Sequence, residues 1–152
     1  MNKRKLQLTQ LERKIQALSG FSEVSQPPTG WLKATRLALG MSLQQLAARL
    51  NITRQSVQEI EVREQEGSIT LKSLREAAHA LDLELVYALI PKDGSLDLLI
   101  ERKAQELAMK IVSRTANTME LEDQQNSKER LREALAERTA QLKSEMPKTL
   151  WD

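Results

Sequence analysis

The sequence predicts a mainly α protein in which a compact domain of four to five short helices, with one short β-strand, lies between an N-terminal helix and a C-terminal helical extension. Three observations predict it. Apolar residues recur at intervals of three and four along much of the 152-residue chain, the period of amphipathic helices. Helix-stopping residues gather at Gln26-Pro27-Pro28-Thr29-Gly30 and at Pro91-Lys92-Asp93-Gly94, which divide the chain into three. A single run, Glu84–Ile90, is rich in β-formers. The divisions are a leading helix and linker over 1–26, a compact domain over 27–91 with its strand at 84–90, and a helical extension over 92–152.

Composition narrows the chemistry. Cysteine is absent, which removes disulfides, thiol catalysis and thiolate metal sites. The one histidine, His79, leaves little for a zinc site or a histidine-based triad. Aromatic residues make up 3% of the chain, too few for base-stacking platforms on single-stranded nucleic acid. No apolar run approaches the ~20 residues of a membrane helix, and no signal-peptide pattern opens the sequence. These features predict a cytoplasmic binding protein without a cofactor, and no enzyme. Net charge is only +2, but residues 1–30 carry five basic and two acidic groups, whereas 95–152 carry ten basic and eleven acidic. A basic front and a near-neutral back permit nucleic acid at one end and protein at the other, and equally permit an ordinary solvated surface.

The elements follow in chain order. Leu8, Leu11, Ile15 and Leu18 form the stripe of the leading helix. Trp31–Leu39 is the first helix of the compact domain, stopped by Gly40. Ser42 caps the second, and Gln45 three residues on gives the Ser-x-x-Gln capping-box spacing. That helix carries Leu43, Leu46, Ala47 and Leu50. Only Asn51 and Ile52 precede Thr53, the N-cap of a third helix from Arg54 to about Arg63. So short a turn forces a steep crossing, and the small Ala47 lets the two helices approach. Gly67 ends a polar connection, and Thr70 caps a fourth helix through Leu81.

Glu84–Ile90 is apolar on both alternating faces, and Pro91 closes it. The rest of the chain offers no convincing partner, since Phe21–Ser25 is short and polar. Leu85, Val86, Tyr87, Ala88, Leu89 and Ile90 are therefore expected to pair antiparallel with the same strand of a second subunit. The alternative is that the segment continues the fourth helix. Beyond the Asp-Gly turn, Ser95 is the expected N-cap of a helix bearing Leu96, Leu99, Ile100, Leu107, Ile111, Val112 and Met119 on one face. Asn126-Ser127 is a weak break before a last helix with Leu131, Leu135 and Leu142. The stripe from Leu96 to Met119 is expected to pack on the final helix, on the leading helix and on the second subunit.

The third helix of the compact domain carries the chemistry. Val57 and Ile60 are its inward anchors, while Arg54, Gln55, Ser56 and Glu59 face outward near its start. Arginine offers two parallel donors to guanine in a major groove, glutamine pairs both ways with adenine, and glutamate accepts from cytosine. Serine reaches a base or a phosphate. A row of this kind at the N-terminal end of a helix is what groove reading requires. A polar helix face is also common in proteins that touch no DNA, so the row gains weight from the capped helix and short turn before it.

Residues 31–81, through "LGMSLQQLAARLNITRQSVQEIE", resemble the phage-repressor (XRE or Cro-like) family, which implies a four-to-five-helix repressor-type helix-turn-helix domain. The resemblance places Arg54, Gln55, Ser56 and Glu59 on base edges, with Ser42 and Gln44 near phosphates. Thr53 and Lys33 are further candidates for phosphate contact. It also implies a structural ion pair between Arg36 and Glu61. Arg63-Glu64-Gln65-Glu66 departs from the pattern, being more acidic than the phosphate-gripping loop usual there. Over nearly the whole chain, "GWLKATRLALGMSLQQLA", "GSITLKSLREAAHALDLELVYALIP", "TMELEDQ" and the closing "LWD" resemble the family called mobile mystery protein A. Members of that family often accompany a Fic-domain protein, which implies an autoregulatory or antitoxin-like role.

Other residues are read plainly. His79 has no second ligand or base in sight and is taken as structural or solvent-facing. The Trp31 ring covers the end of the core, and Glu120, Glu122 and Asp123 form a solvated face. Lys3-Arg4-Lys5 either reaches the DNA backbone or solubilises a mobile end. The expectation is a sequence-specific double-stranded DNA-binding regulator, an autorepressor acting as a homodimer on a near-palindromic operator. Its rival is an antitoxin-type protein whose helical tail neutralises a Fic-domain partner.

Overall fold

A computed structural model describes residues 2–116 and 124–152. Met119, Glu120, Glu122 and Asp123, and with them most of the "TMELEDQ" motif, lie outside the described residues. The described chain holds α1 (Lys3–Ala17), α2 (Trp31–Ala38), α3 (Leu43–Leu50), α4 (Arg54–Glu66), α5 (Leu71–Ala80), α6 (Leu96–Ala116) and α7 (Gln124–Glu145). Short 3-10 turns span Ser19–Glu23 and Lys148–Trp151. The fold is two compact units: Gly20–Ala88, and Met1–Ser19 together with Leu89–Asp152.

In the unit Gly20–Ala88, helices α2 to α5 close around Leu32, Leu46, Ala47, Val57, Ala77 and Leu81. Leu46 and Val57 are its largest fully buried side chains, one from each of the helices joined by the short turn. That turn works because Asn51 takes the left-handed conformation at φ 57°, which asparagine tolerates better than most residues. Ala47 is 1% exposed, so the absence of a larger side chain there sets how near α4 can lie. The helix starts are chemically closed. The Ser42 hydroxyl accepts from the Gln45 amide while the Gln45 side chain accepts from the Ser42 amide, and Thr53 and Thr70 accept from the amides of Ser56 and Ser73. Each such cap contributes about 1 kcal/mol.

Helix α4 runs about one turn further than the sequence suggests. It ends at Glu66, with Gly67 in the left-handed position at φ 80° as its C-cap. Residues 63–66 are polar and no Gly or Pro interrupts them, so nothing local stops the helix before Gly67.

The expected β-strand over 84–90 is not formed. Helix α5 ends at Ala80, Asp82 turns left-handed at φ 59°, and the Leu83 amide donates back to the Ala78 carbonyl. From 84 to 90 the backbone then runs without helix, turn or bend. A strand exists only with a partner, and none is available among the described residues: part of Phe21–Ser25 lies in the 3-10 turn. The alternative of a continued helix fails too, because the left-handed Asp82 breaks it.

In the other unit, α6 packs along α7 and the C-terminal 3-10 turn. Ile100, Ala104 and Ala108 of α6 meet Leu142 of α7 and Leu150, with Leu8 of α1, Leu107, Ile111, Leu135 and Met146 against them. Ala104 and Ala108 are wholly buried, and a small residue on each of two successive turns allows close approach of the helices. Of the leading stripe, Ile15 is buried but Leu11 is exposed. Helix α7 begins at Gln124 and passes through 126–127, so the expected break at Asn126-Ser127 is absent. At the start of α6 the Ser95 hydroxyl accepts from the Leu98 amide, Glu12 of α1 accepts from the Leu96 amide, and Gln16 donates to the Gly94 carbonyl. No helix among the described residues is long and apolar enough to cross a membrane.

Candidate nucleic-acid interface

The outer face of α4 begins immediately after its cap. Arg54, Gln55 and Glu59 are exposed, and among the described residues none of their side chains has a hydrogen-bond or ion-pair partner. Gln58 shares that face four residues after Arg54, and Gln55, Gln58, Glu59 and Val62 line one shallow depression along it. Gln58 went unremarked in the sequence, although its spacing of three from Gln55 and four from Arg54 is the signal that would have found it. Free forked donors and amides on a protruding helix are the groups that can exchange water for base edges.

The hydroxyl residues sit differently. Thr53 Oγ1 and Ser56 Oγ lie 2.8 Å apart in a hydrogen bond, and the Ser56 amide donates to Thr53 Oγ1 at 3.1 Å. Ser56 is half-buried. Both residues therefore serve the helix start, with lone pairs and one proton left for an outside partner. Ser42 is committed to its capping box with Gln45. Gln44 and Lys33 are exposed and unpaired among the described residues. Trp31 is 47% exposed, and His79 faces solvent.

The orientation of α4 is held from beneath. Arg36 of α2 and Glu61 of α4 are both buried, with Nε to Oε1 at 2.7 Å and the terminal guanidinium nitrogen Nη2 to Oε2 at 3.2 Å. Arg36 Nη1 also donates to the Met41 carbonyl at 3.0 Å. A fork-to-fork pair fixes direction as well as distance, so it constrains the roll of α4 that decides which residues face out.

A second tether was not legible in the sequence. Glu64 Oε1 accepts from the Leu32 amide at 2.8 Å, and Gln65 Nε2 donates to the Pro28 carbonyl at 3.1 Å. The acidic Arg63-Glu64-Gln65-Glu66 stretch thus spends Glu64 and Gln65 on holding the entry to α2. The extra turn of α4 is what carries them there. Arg49 of α3 closes the far side, pairing with Asp82 at 3.2 Å and donating to the Ala80 carbonyl.

Among the described residues no cluster of histidine, aspartate and glutamate could hold a metal ion. No curated protein and no solved structure matches the chain. Residues 32–87 match the helix-turn-helix family model, of the XRE type, and that match supports a DNA-binding, transcription-regulating kind of function.

Proposed function

We propose that the protein is a sequence-specific repressor that binds a near-palindromic operator as two copies and controls its own promoter by occluding it. The observation that carries this is the free row Arg54, Gln55, Gln58 and Glu59 on a helix whose roll is fixed by the Arg36–Glu61 pair. In this reading Arg54 takes guanine, Gln55 takes adenine, Glu59 accepts from cytosine, and Ser56 adds one contact beside its cap. Ser42, Gln44, Thr53 and Lys33 face the phosphates and set register without reading sequence. A two-fold pair of such helices meets half-sites one DNA turn apart, roughly 34 Å. The motifs that resemble the mobile mystery protein A family, spread over nearly the whole chain, favour autoregulation as the biological use.

The test is selection of bound duplexes from a random pool, followed by footprinting of the protein's own upstream region. A near-palindromic consensus that also occurs upstream is the expected result. If Arg54→Ala combined with Gln55→Ala left both affinity and the selected consensus untouched, α4 would not be the reader.

A further inference from the structure

The segment joining the two compact units carries an unmet demand. Leu83 spends its amide on the end of α5, and Pro91 spends its carbonyl on the Gly94 amide. Between them no residue from 84 to 90 makes a backbone hydrogen bond among the described residues. Val86 and Tyr87 are each 62% exposed and Leu89 is 89% exposed. Unpaired backbone flanked by exposed apolar side chains is a template for another strand.

We infer that this segment is a self-complementary edge whose occupant is a second copy of the chain, paired antiparallel with Ala88 on the two-fold axis. The inference rests on the two-copy part of the reading above and adds its surface and register. Charge selects the register. Glu84 is the only acidic residue in the run, and Lys92 is the nearest cation beyond it. Placing Ala88 opposite itself sets Glu84 level with Lys92 of the other copy, in the turn that follows the extended run, twice over. The same register sets Val86 opposite Ile90 and Tyr87 opposite Leu89, so that apolar side chains cover one another on both faces. Centring on Tyr87 instead would set Glu84 against Ile90.

Proline selects the hydrogen-bonding phase. Opposed residues alternate between pairs that exchange both N–H···O bonds and pairs that exchange none. Pro91, opposite Leu85, has no N–H and belongs to a pair that exchanges none. Ala88 therefore exchanges bonds with its own copy, at a Cα separation of about 5.5 Å. That distance lies within the range a disulfide spans.

The chain's lack of cysteine makes the test clean. Single-cysteine full-length variants Ala88→Cys, Tyr87→Cys and, as a surface control on α7, Ala136→Cys are oxidised gently at micromolar concentration. Covalent dimer is followed on non-reducing gels, with circular dichroism melting as a folding control. Ala88→Cys is expected to cross-link at least tenfold faster than either of the others. Separately, Glu84→Lys should weaken dimerisation about three- to tenfold, and Glu84→Lys with Lys92→Glu should restore it.

A wild-type chain that is monomeric by light scattering would overturn both this inference and the two-copy reading. A dimeric chain in which Ala88→Cys links no faster than Ala136→Cys would overturn the strand surface alone. Fastest linkage at Tyr87→Cys would overturn the register, and a charge exchange without effect would overturn the Glu84–Lys92 pairing.

Discussion

The carboxylate of Glu64, near the end of α4, caps the start of α2 by accepting the Leu32 amide at 2.8 Å. Gly30, the N-cap of α2, has no side chain to do this itself, and its φ of 88° and ψ of 161° fall where essentially only glycine sits. A Cβ on Gly30 would come within 2.8 to 3.0 Å of the Glu64 carboxylate. The glycine and the glutamate are therefore one device: the missing side chain opens the space that the distant carboxylate fills. A negative group at a helix N-terminus also complements the helix dipole.

Glu64→Ala should lower stability by about 1 kcal/mol, the usual loss of a cap. Glu64→Gln keeps an acceptor oxygen and should cost less. Gly30→Ala should cost more than either, about 1–3 kcal/mol for the backbone conformation, because it also displaces the cap. Chemical denaturation of the three variants ranks them. Equal losses for Glu64→Ala and Glu64→Gln would show that charge, and not acceptance of the amide, is what matters.

The buried Arg36–Glu61 pair makes a different prediction. Removing either partner alone leaves an uncompensated charge inside the domain, a loss of about 3–5 kcal/mol. Replacing both with apolar residues of similar size, Arg36→Met with Glu61→Leu, should recover much of that loss. If α4 owes its roll to the pair, the double variant should fold yet bind its selected duplex less tightly than the wild type. A double variant with full stability and full affinity would leave the pair no part in positioning the reading helix.

What the sequence disclosed was local. The Ser42/Gln45 capping box, the short Asn51-Ile52 turn and the burial of Val57 all follow from residues within a few positions of one another, where spacing is decisive. The exposed row at Arg54, Gln55 and Glu59 was legible for the same reason: the cap at Thr53 sets the helix phase. What it hid was distant. Glu64 reaches Leu32 across 32 positions, and no periodicity marks a glutamate as the cap of another helix. The strand at 84–90 failed from the same limit, since β-propensity describes a residue's fit to a sheet and cannot supply the second strand.

At the entrance to α6, Arg102 holds Asp93 through two bonds of 2.8 and 3.1 Å and reaches Glu106 at 3.0 Å. The hydrogen bond from Arg102 is the main reason the Asp93 carboxyl lies below its ordinary range, and the same guanidinium lowers Glu106. A carboxyl whose pKa is lower in the folded state contributes stability above its unfolded pKa. That contribution fades as pH falls through the folded value. Denaturation midpoints measured from about pH 7 down to about pH 2 should show an acid limb that Asp93→Asn makes shallower. Arg102→Ala should flatten it further, because Asp93 loses its hydrogen-bond partner and Glu106 is left with Lys103, at 3.5 Å. An unchanged limb in Arg102→Ala would place the acid sensitivity elsewhere.

Phosphate contact and base reading differ in their salt dependence, which separates Lys33 from Arg54. Both side chains are exposed and unpaired among the described residues, so neither needs to leave a protein partner to meet DNA. Lys33→Ala, if the lysine neutralises a phosphate, should weaken selected and unrelated duplexes alike. It should also reduce the slope of log affinity against log salt by about one for each phosphate the lysine neutralises. Arg54→Ala should cost about 1–3 kcal/mol on the selected duplex, much less on unrelated ones, and relax preference at one base pair in each half-site. Fluorescence titrations at several salt concentrations, on one selected and one scrambled duplex, resolve the two patterns. Should Arg54→Ala weaken both duplexes equally, its guanidinium serves the backbone, and base reading falls to Gln55, Gln58 and Glu59.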